Sequence, residues 1–199
     1  AAQQLLTLEA EAEQWQAAMV ALDVVSSGTP TDSPSQVTLK RQRTALAYLV
    51  ARDKHAVMPD DKSVLKQIER SLAIDPGFGP AVALLVMVRT AQGNWPRKWI
   101  KLLEASFKAR PDAATAAALQ TAWQSNDGSF IARVIKLIPA AGTRRGLAQI
   151  IVAEQAYGLG LVGEARAQLD AVPLAERNIN AWRLLAKMAD ADEDPGLVA

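Results

Sequence analysis

Few residues in this chain are of types that could perform chemistry, and the most reactive of them is a single histidine. His55 stands in a polar stretch, and Met58 follows it three residues later. Imidazole and thioether groups both ligate haem iron, so this pair suggests direct haem or porphyrin carriage with His55 as an axial ligand. A lone histidine in a polar segment is more often a solvated loop residue, and we expect His55 to be one.

A second group of possible ligands is a run of carboxylates near the end of the sequence. Asp190, Asp192, Glu193 and Asp194 carry the oxygen donors that a hard cation prefers, but they lack the glycine and the spacing of a calcium-binding loop. The chain has no cysteine, which excludes a thiol nucleophile and a cysteine metal site. We find no glycine-rich phosphate loop, nucleophile elbow or paired-carboxylate motif. The sequence therefore predicts no catalytic site, no metal site and no resident cofactor.

Basic and aromatic side chains favour binding instead of catalysis. Lys40, Arg41 and Arg43 form one small basic cluster and Arg144-Arg145 another, and either could recognise an acidic segment of a partner. Tryptophans could also stack on a ligand, but buried aromatic side chains dominate core energetics, so we expect core packing for them. The five tryptophans are Trp15, Trp95, Trp99, Trp123 and Trp182.

The overall composition excludes several classes of protein. The chain has 199 residues, of which 50% are hydrophobic and 22% charged, as is typical of a globular protein. Its formal net charge of +1 does not support a nucleic-acid-binding surface or a polybasic membrane patch. No stretch approaches about 18 consecutive apolar residues, so no segment is predicted to span a membrane.

The hydrophobic pattern indicates an all-α protein. Alanine, the best helix former, is the commonest residue, and alternating β-branched runs are nearly absent. In the central stretch 60–112, we predict one helix that ends before Pro76 and another that begins after Pro96. The segment 53–60 is expected to be an inserted loop that carries His55. The other predicted helices cover 1–12, 15–27, 36–52, 81–91, 113–124, 129–138, 143–158, 162–172 and 176–189.

Two helix endings repeat each other. The runs 71–76 and 106–111 share one order: small, apolar, any residue, apolar or small, polar, proline. Equivalent positions in successive helix pairs are taken to be Ala18, Val64, Lys98, Ala132 and Ala165. Their spacings of 46, 34, 34 and 33 residues indicate a period near the tetratricopeptide value of about 34, with one insertion in the polar stretch 52–61. In the fourth unit, we expect Ile131, Ile135 and Ile138 to carry the core face.

These features resemble the tetratricopeptide repeat family, with the best match over 79–111 and a weaker one over 113–139. The resemblance implies a superhelix of helix pairs that forms a single repeat domain over 1–199, cut from a longer chain at both ends. First helices in such modules line a concave groove that binds other proteins. The groove residues that this implies are Arg43, Met87, Thr90, Thr115 and Arg144.

Two passages also resemble the HemY-type proteins, a narrower family of the bacterial inner membrane. They are the run 71–81, with the helix over 113–124, and the run 181–192. The resemblance implies a non-catalytic scaffold that organises haem-biosynthesis enzymes at that membrane and is held there by an N-terminal anchor outside this sequence. The resemblance leaves open on which side of the membrane the scaffold lies. The alternatives are a haem or porphyrin carrier and a generic peptide-binding repeat module in envelope assembly.

Overall fold

The computed structural model describes residues 7, 10–27, 34–125, 127–139 and 143–193. Helices account for most of these residues and no β-strand occurs among them, which confirms the all-α prediction. A short 3-10 turn, Leu174–Glu176, precedes the last helix. The α-helices are α1 (Trp15–Ser27), α2 (Pro34–Val57), α3 (Lys62–Ile74), α4 (Gly79–Gln92), α5 (Arg97–Ala109), α6 (Ala113–Trp123), α7 (Gly128–Ile135), α8 (Thr143–Gly158), α9 (Val162–Asp170) and α10 (Ile179–Glu193).

Most predicted helix bounds agree with these to within a few residues, and those of α1 are confirmed at both ends. The predicted helix over 1–12 lies largely outside the described residues. Asp194, the last residue of the acidic run, and the side chains of Asp192 and Glu193 lie outside them as well.

The predicted loop over 53–60 is wrong for most of its length. α2 is a 24-residue helix that continues to Val57, so His55 lies in its last turn. No proline or glycine stands between Pro34 and Pro59, and nothing in the sequence therefore ends the helix earlier. The polar residues 52–55 belong to this helix, so the additional length of the second repeat unit is helical.

The beginning of α10 also differs from the prediction, which placed it at residue 176. The Asn178 side chain accepts hydrogen bonds from the backbone N–H groups of Asn180 (3.0 Å) and Ala181 (3.1 Å). Asparagine is a favoured N-cap because its oxygen satisfies N–H groups that have no partner within the helix. The cap fixes the start of α10 at Ile179, directly after the 3-10 turn and its flanking residues.

The repeat pattern of buried residues holds in three units. Ala18, Val64 and Ala165 are fully buried, and so are the residues four positions later. Those later residues are Leu22, Ile68 and Leu169. A spacing of four places both members of each pair on one face of a helix, which is the face that meets the neighbouring helix.

The other two units are shifted by one residue, as was predicted for the fourth unit but not for the third. Lys98 and Ala132 are exposed, whereas Trp99 and Ile131 are buried. In α7, Ile131 carries the core face as predicted, while Ile135 and Ile138 are only half-buried. The buried residues beside Ile131 are Phe130, Val134 and Leu137.

The two matching helix endings contain equivalent buried residues. Ser71 is fully buried and donates to the backbone oxygen of Thr44 on α2 (2.9 Å), so a small polar residue allows α3 to approach α2 closely. Ser106 is likewise buried and donates within its own helix, to Leu102 (2.8 Å). The next residue in each ending, Leu72 or Phe107, is a buried large side chain.

The chain divides into two compact units, Ala1–Ser106 and Phe107–Ala199. In the first, α2 contacts α1, α3 and α4; in the second, α8 contacts α6, α7, α9 and α10. Contacts therefore join the alternate helices α2 and α4, α6 and α8, and α8 and α10, which are the first helices of successive pairs. The prediction of a single repeat domain over 1–199 stays a prediction.

Aspartate caps begin three helices. Each side chain accepts a hydrogen bond from a backbone N–H two or three residues later, which satisfies a group without an intrahelical partner. The pairs are Asp61 with Ser63 (2.7 Å), Asp112 with Thr115 (2.7 Å) and Asp127 with Ser129 (2.9 Å). Hydrogen bonds from Ser63 and Ser129 lower the pKa of Asp61 and Asp127, so these two caps persist in mildly acidic solution.

Replacing Asp112 by alanine is expected to destabilise the protein by about 1–3 kcal/mol. The substitution removes the α6 cap and the acceptor of the Thr115 hydroxyl, which is buried and donates to the second Asp112 oxygen (2.7 Å). Urea unfolding followed by circular dichroism measures the loss. Asp112→Asn keeps a capping oxygen and is the matched control, and a loss of equal size in both variants would contradict the capping role.

Candidate functional site

The five predicted groove residues lie on four different helices. Met87 and Thr90 are exposed on α4, and Arg144 is exposed at the beginning of α8. Arg43 on α2 and Thr115 on α6 are instead engaged within the protein. Their role in partner binding stays a prediction, and three of the five side chains are accessible to a partner.

Arg43 takes part in an ion-pair network of the first unit. Its guanidinium donates to Asp23 (2.9 Å) and to the hydroxyl of Ser26, both on α1. Arg70 on α3 donates to the other Asp23 oxygen (3.2 Å). Asp23 thereby ties α1 to α2 and α3, and an acidic partner would compete with it for Arg43.

His55 is half-buried near the end of α2, and its Nδ1 is buried without a hydrogen-bond partner. Met58 is exposed just beyond the helix. Across the described ranges, no group of three or more histidine, cysteine, aspartate or glutamate side chains is placed to hold a metal ion. Haem binding at this position would therefore rely on the imidazole of His55 alone, and haem carriage stays an alternative prediction.

The tryptophans divide between packing and surface positions. Trp99 is buried, and Trp15 packs against the core cluster of α1 and α2. Trp123 contacts Phe130 with ring centroids 6.0 Å apart, while the Arg133 guanidinium lies 4.1 Å from its ring. Trp182 remains 48% exposed and is the tryptophan most available for stacking on a ligand.

A polar cleft of about 280 Å³ lies between α8 and α10 in the second unit. We name it the α8–α10 cleft. It is formed by α8 and α10, the first helices of two of the predicted pairs. Its lining residues are Glu154 and Tyr157 from α8, and Asn180, Arg183, Leu184 and Lys187 from α10.

Helical spacing explains why these side chains meet. Glu154 and Tyr157 are three residues apart on α8, and the α10 residues at 180, 183, 184 and 187 follow spacings of three and four that share one helix face. Buried residues hold the two helices in place: Ala153 and Ala156 on α8, Ala181 and Met188 on α10. Sequence analysis missed this site, although the polar residues at helical spacing were a signal for it.

The charges of the α8–α10 cleft are mixed, with a positive excess. Burial raises the pKa of the Glu154 carboxyl, while a hydrogen bond from Asn180 and the positive charge of Lys187 act in the opposite direction. Arg183 and Lys187 are exposed. The cleft therefore presents two cations and an amide beside one partly desolvated carboxylate.

These groups suit the recognition of a peptide. The amide of Asn180 can both donate to and accept from a peptide main chain, and the cations of Arg183 and Lys187 can hold an acidic side chain or a terminal carboxylate. Leu184 adds an apolar contact. The lining contains no histidine, serine, threonine or cysteine, so it offers no pair of nucleophile and base of the kinds used in acyl transfer.

No protein-family model, curated protein or solved structure matches this chain. The likeness to tetratricopeptide and HemY-type proteins therefore stays an interpretation of the sequence. Among the helices of the described residues, none combines the length and the apolar character needed to cross a bilayer.

Glu154→Gln is expected to stabilise the protein at neutral pH. Burial raises the folded-state pKa above the unfolded value of about 4.3, so the ionised carboxylate penalises the folded state at pH values above both. Below the unfolded pKa both states are protonated and this penalty vanishes. Urea midpoints of the variant and the wild type should therefore differ at pH 7 and converge near pH 3.

The exposed Glu176 provides a control for this measurement, because Glu176→Gln makes the same change of charge outside the cleft. It should leave the midpoint nearly unchanged at both pH values. A Glu154→Gln variant less stable than the wild type at pH 7 would show that Asn180 and Lys187 outweigh the burial of the carboxylate.

Proposed function

We propose that this chain is a non-catalytic, tetratricopeptide-like module that binds other proteins, and that the α8–α10 cleft holds an extended segment of the partner. The observation that carries the proposal is the position of the cleft between first helices of successive pairs, where its polar side chains converge. Repeat modules bind extended peptides on surfaces of this kind.

The arrangement of helices supports a superhelix of stacked pairs within each unit. α2 contacts α4 in the first unit, and α8 contacts both α6 and α10 in the second, so first helices within a unit meet one another. Core positions recur near the tetratricopeptide period of about 34 once the one-residue shift is included: the successive spacings from Val64 to Trp99, Ile131 and Ala165 are 35, 32 and 34 residues.

The chemistry of the cleft favours a partner segment with at least one carboxylate. Arg183 offers a planar guanidinium that pairs with a carboxylate through two hydrogen bonds, and Lys187 adds a second positive charge. Glu154 disfavours a second acidic group beside them and accepts hydrogen bonds from peptide N–H groups. The cleft therefore discriminates between partner sequences by charge as well as by length.

The resemblance to HemY-type proteins extends the proposal to the partner. On that basis the bound proteins are haem-biosynthesis enzymes, and the module is held at the bacterial inner membrane by an anchor elsewhere in the full protein. This extension rests on the two resembling passages over 71–81 and 181–192. A peptide-binding module in envelope assembly uses the same cleft and differs only in its partner.

Capture of partners from detergent-solubilised membranes of the source cell tests both parts of the proposal. The chain serves as bait and mass spectrometry identifies what is retained. We expect late haem-biosynthesis enzymes to be enriched by the wild type and to be lost with the double variant Arg183→Glu/Lys187→Glu. The control Lys40→Glu/Arg41→Glu makes the same change of charge at exposed positions on α2 and should retain them.

Two other outcomes are informative. Enrichment of different envelope proteins, lost in the Arg183/Lys187 variant alone, would keep the module and remove the link to haem. Retention of every partner by that variant would overturn the assignment of the α8–α10 cleft.

The haem-carrier alternative is favoured by one observation, the unpartnered Nδ1 of His55. Titration with haem, followed through the Soret band, tests it directly. Because the scaffold proposal needs no haem, we expect no shift that depends on His55. A Soret shift that is lost in His55→Ala and kept in Met58→Leu would instead identify His55 as an axial ligand of the haem iron. Haem carriage would then be the better-supported function.

A further inference from the structure

The beginning of α5 has an unfavourable distribution of charge. Arg97, Lys98 and Lys101 are exposed in its first turns, and no acidic residue accompanies them in the first turn. The N-terminus of a helix carries a partial positive charge, so cations placed there destabilise the helix. Residues that destabilise the helix or strand that carries them are expected mainly at functional positions.

The three cations line an open hollow of about 500 Å³ in the first unit, together with Leu102 and with Glu69 of α3. We name it the α5 hollow. Lys98 pairs with the Glu69 carboxylate at 2.6 Å. Arg97 and Lys101 form no ion pair with any residue in the described part of the chain, so the hollow keeps two uncompensated positive charges.

A fourth cation lies close to the α5 hollow. The guanidinium of Arg89 is 4.9 Å from the centre of the Trp99 ring, and the Lys98 ammonium is 5.1 Å from it. The two charges are therefore no more than about 10 Å apart, which is comparable to the Debye length at physiological salt.

Arg89 is only 7% exposed and has no carboxylate partner among the described residues. It donates to the side-chain oxygens of Gln92 and Asn94, and its Nε is buried without a partner. Burial lowers the pKa of Arg89, but a guanidinium stays protonated in proteins. A buried cation without a counter-ion is costly, and an anion bound nearby would offset part of that cost.

We propose that the α5 hollow docks an acidic segment of a partner protein, as a second interaction surface beside the α8–α10 cleft. Lys98 and Glu69 already show the contact that a partner carboxylate would make with Arg97 and Lys101. Leu102 gives the segment an apolar contact. A nucleic acid fits less well, because its phosphate backbone needs a longer basic surface than three exposed cations on a chain of net charge +1.

The test is fluorescence anisotropy with a labelled octaglutamate peptide and the full chain, at about 50 mM and about 200 mM salt. We expect binding that weakens as salt rises. Arg97→Glu/Lys101→Glu should weaken it at least about tenfold at the lower salt, since attraction becomes repulsion. The control Lys40→Glu/Arg41→Glu has the same net charge at exposed positions on α2 and should bind like the wild type.

Several outcomes would overturn the proposal. One is equal weakening in Arg97→Glu/Lys101→Glu and in the control variant, which would mean that net charge alone attracts the peptide. Another is tighter binding of a single-stranded oligonucleotide or of anionic vesicles, lost in Arg97→Glu/Lys101→Glu, which would assign a different class of partner. Absence of peptide binding at the lower salt would also overturn it, provided that circular dichroism shows a folded chain.

Discussion

The apolar face of each helix in this protein can be buried only against the helices packed beside it. Most of the helices are short, and their fully buried residues sit in stripes, such as Val64, Ile68 and Leu72 on α3. Such a stripe on an isolated helix would stay exposed to water, so packing between helices supplies most of the hydrophobic stabilisation. Small buried residues such as Ser71 and Ala165 allow the close approach that stacking requires.

This constraint also decides where function can lie. The stripe that meets the next pair must be apolar, which leaves the remaining faces of each helix free to carry charge. Arg183 and Lys187 use such a face on α10, and Arg97 and Lys101 use one on α5. These four cations are exposed and therefore stay outside the core.

The fold class, most helix bounds and three aspartate caps could be predicted because they depend on local chemistry. Asp112 caps the beginning of α6 through its own side chain, and this local interaction does not depend on the neighbouring helices. The length of α2 was mispredicted because polar residues near 52–55 look like a loop when the neighbouring helices are unknown. The α8–α10 cleft was missed for a related reason: Glu154 and Lys187 are 33 residues apart in the sequence, and only packing brings their helices together.

The length of α2 has a consequence for how the first unit unfolds. With 24 residues it spans about 36 Å, whereas α1 and α3 have 13 residues each and span about 20 Å. Both shorter helices pack against α2, and Asp23, Arg43 and Arg70 link all three near its middle. In an array of repeats, cooperativity depends on the energy of each interface relative to that of each repeat. Because both α1 and α3 pack against α2, we expect the three helices to unfold together.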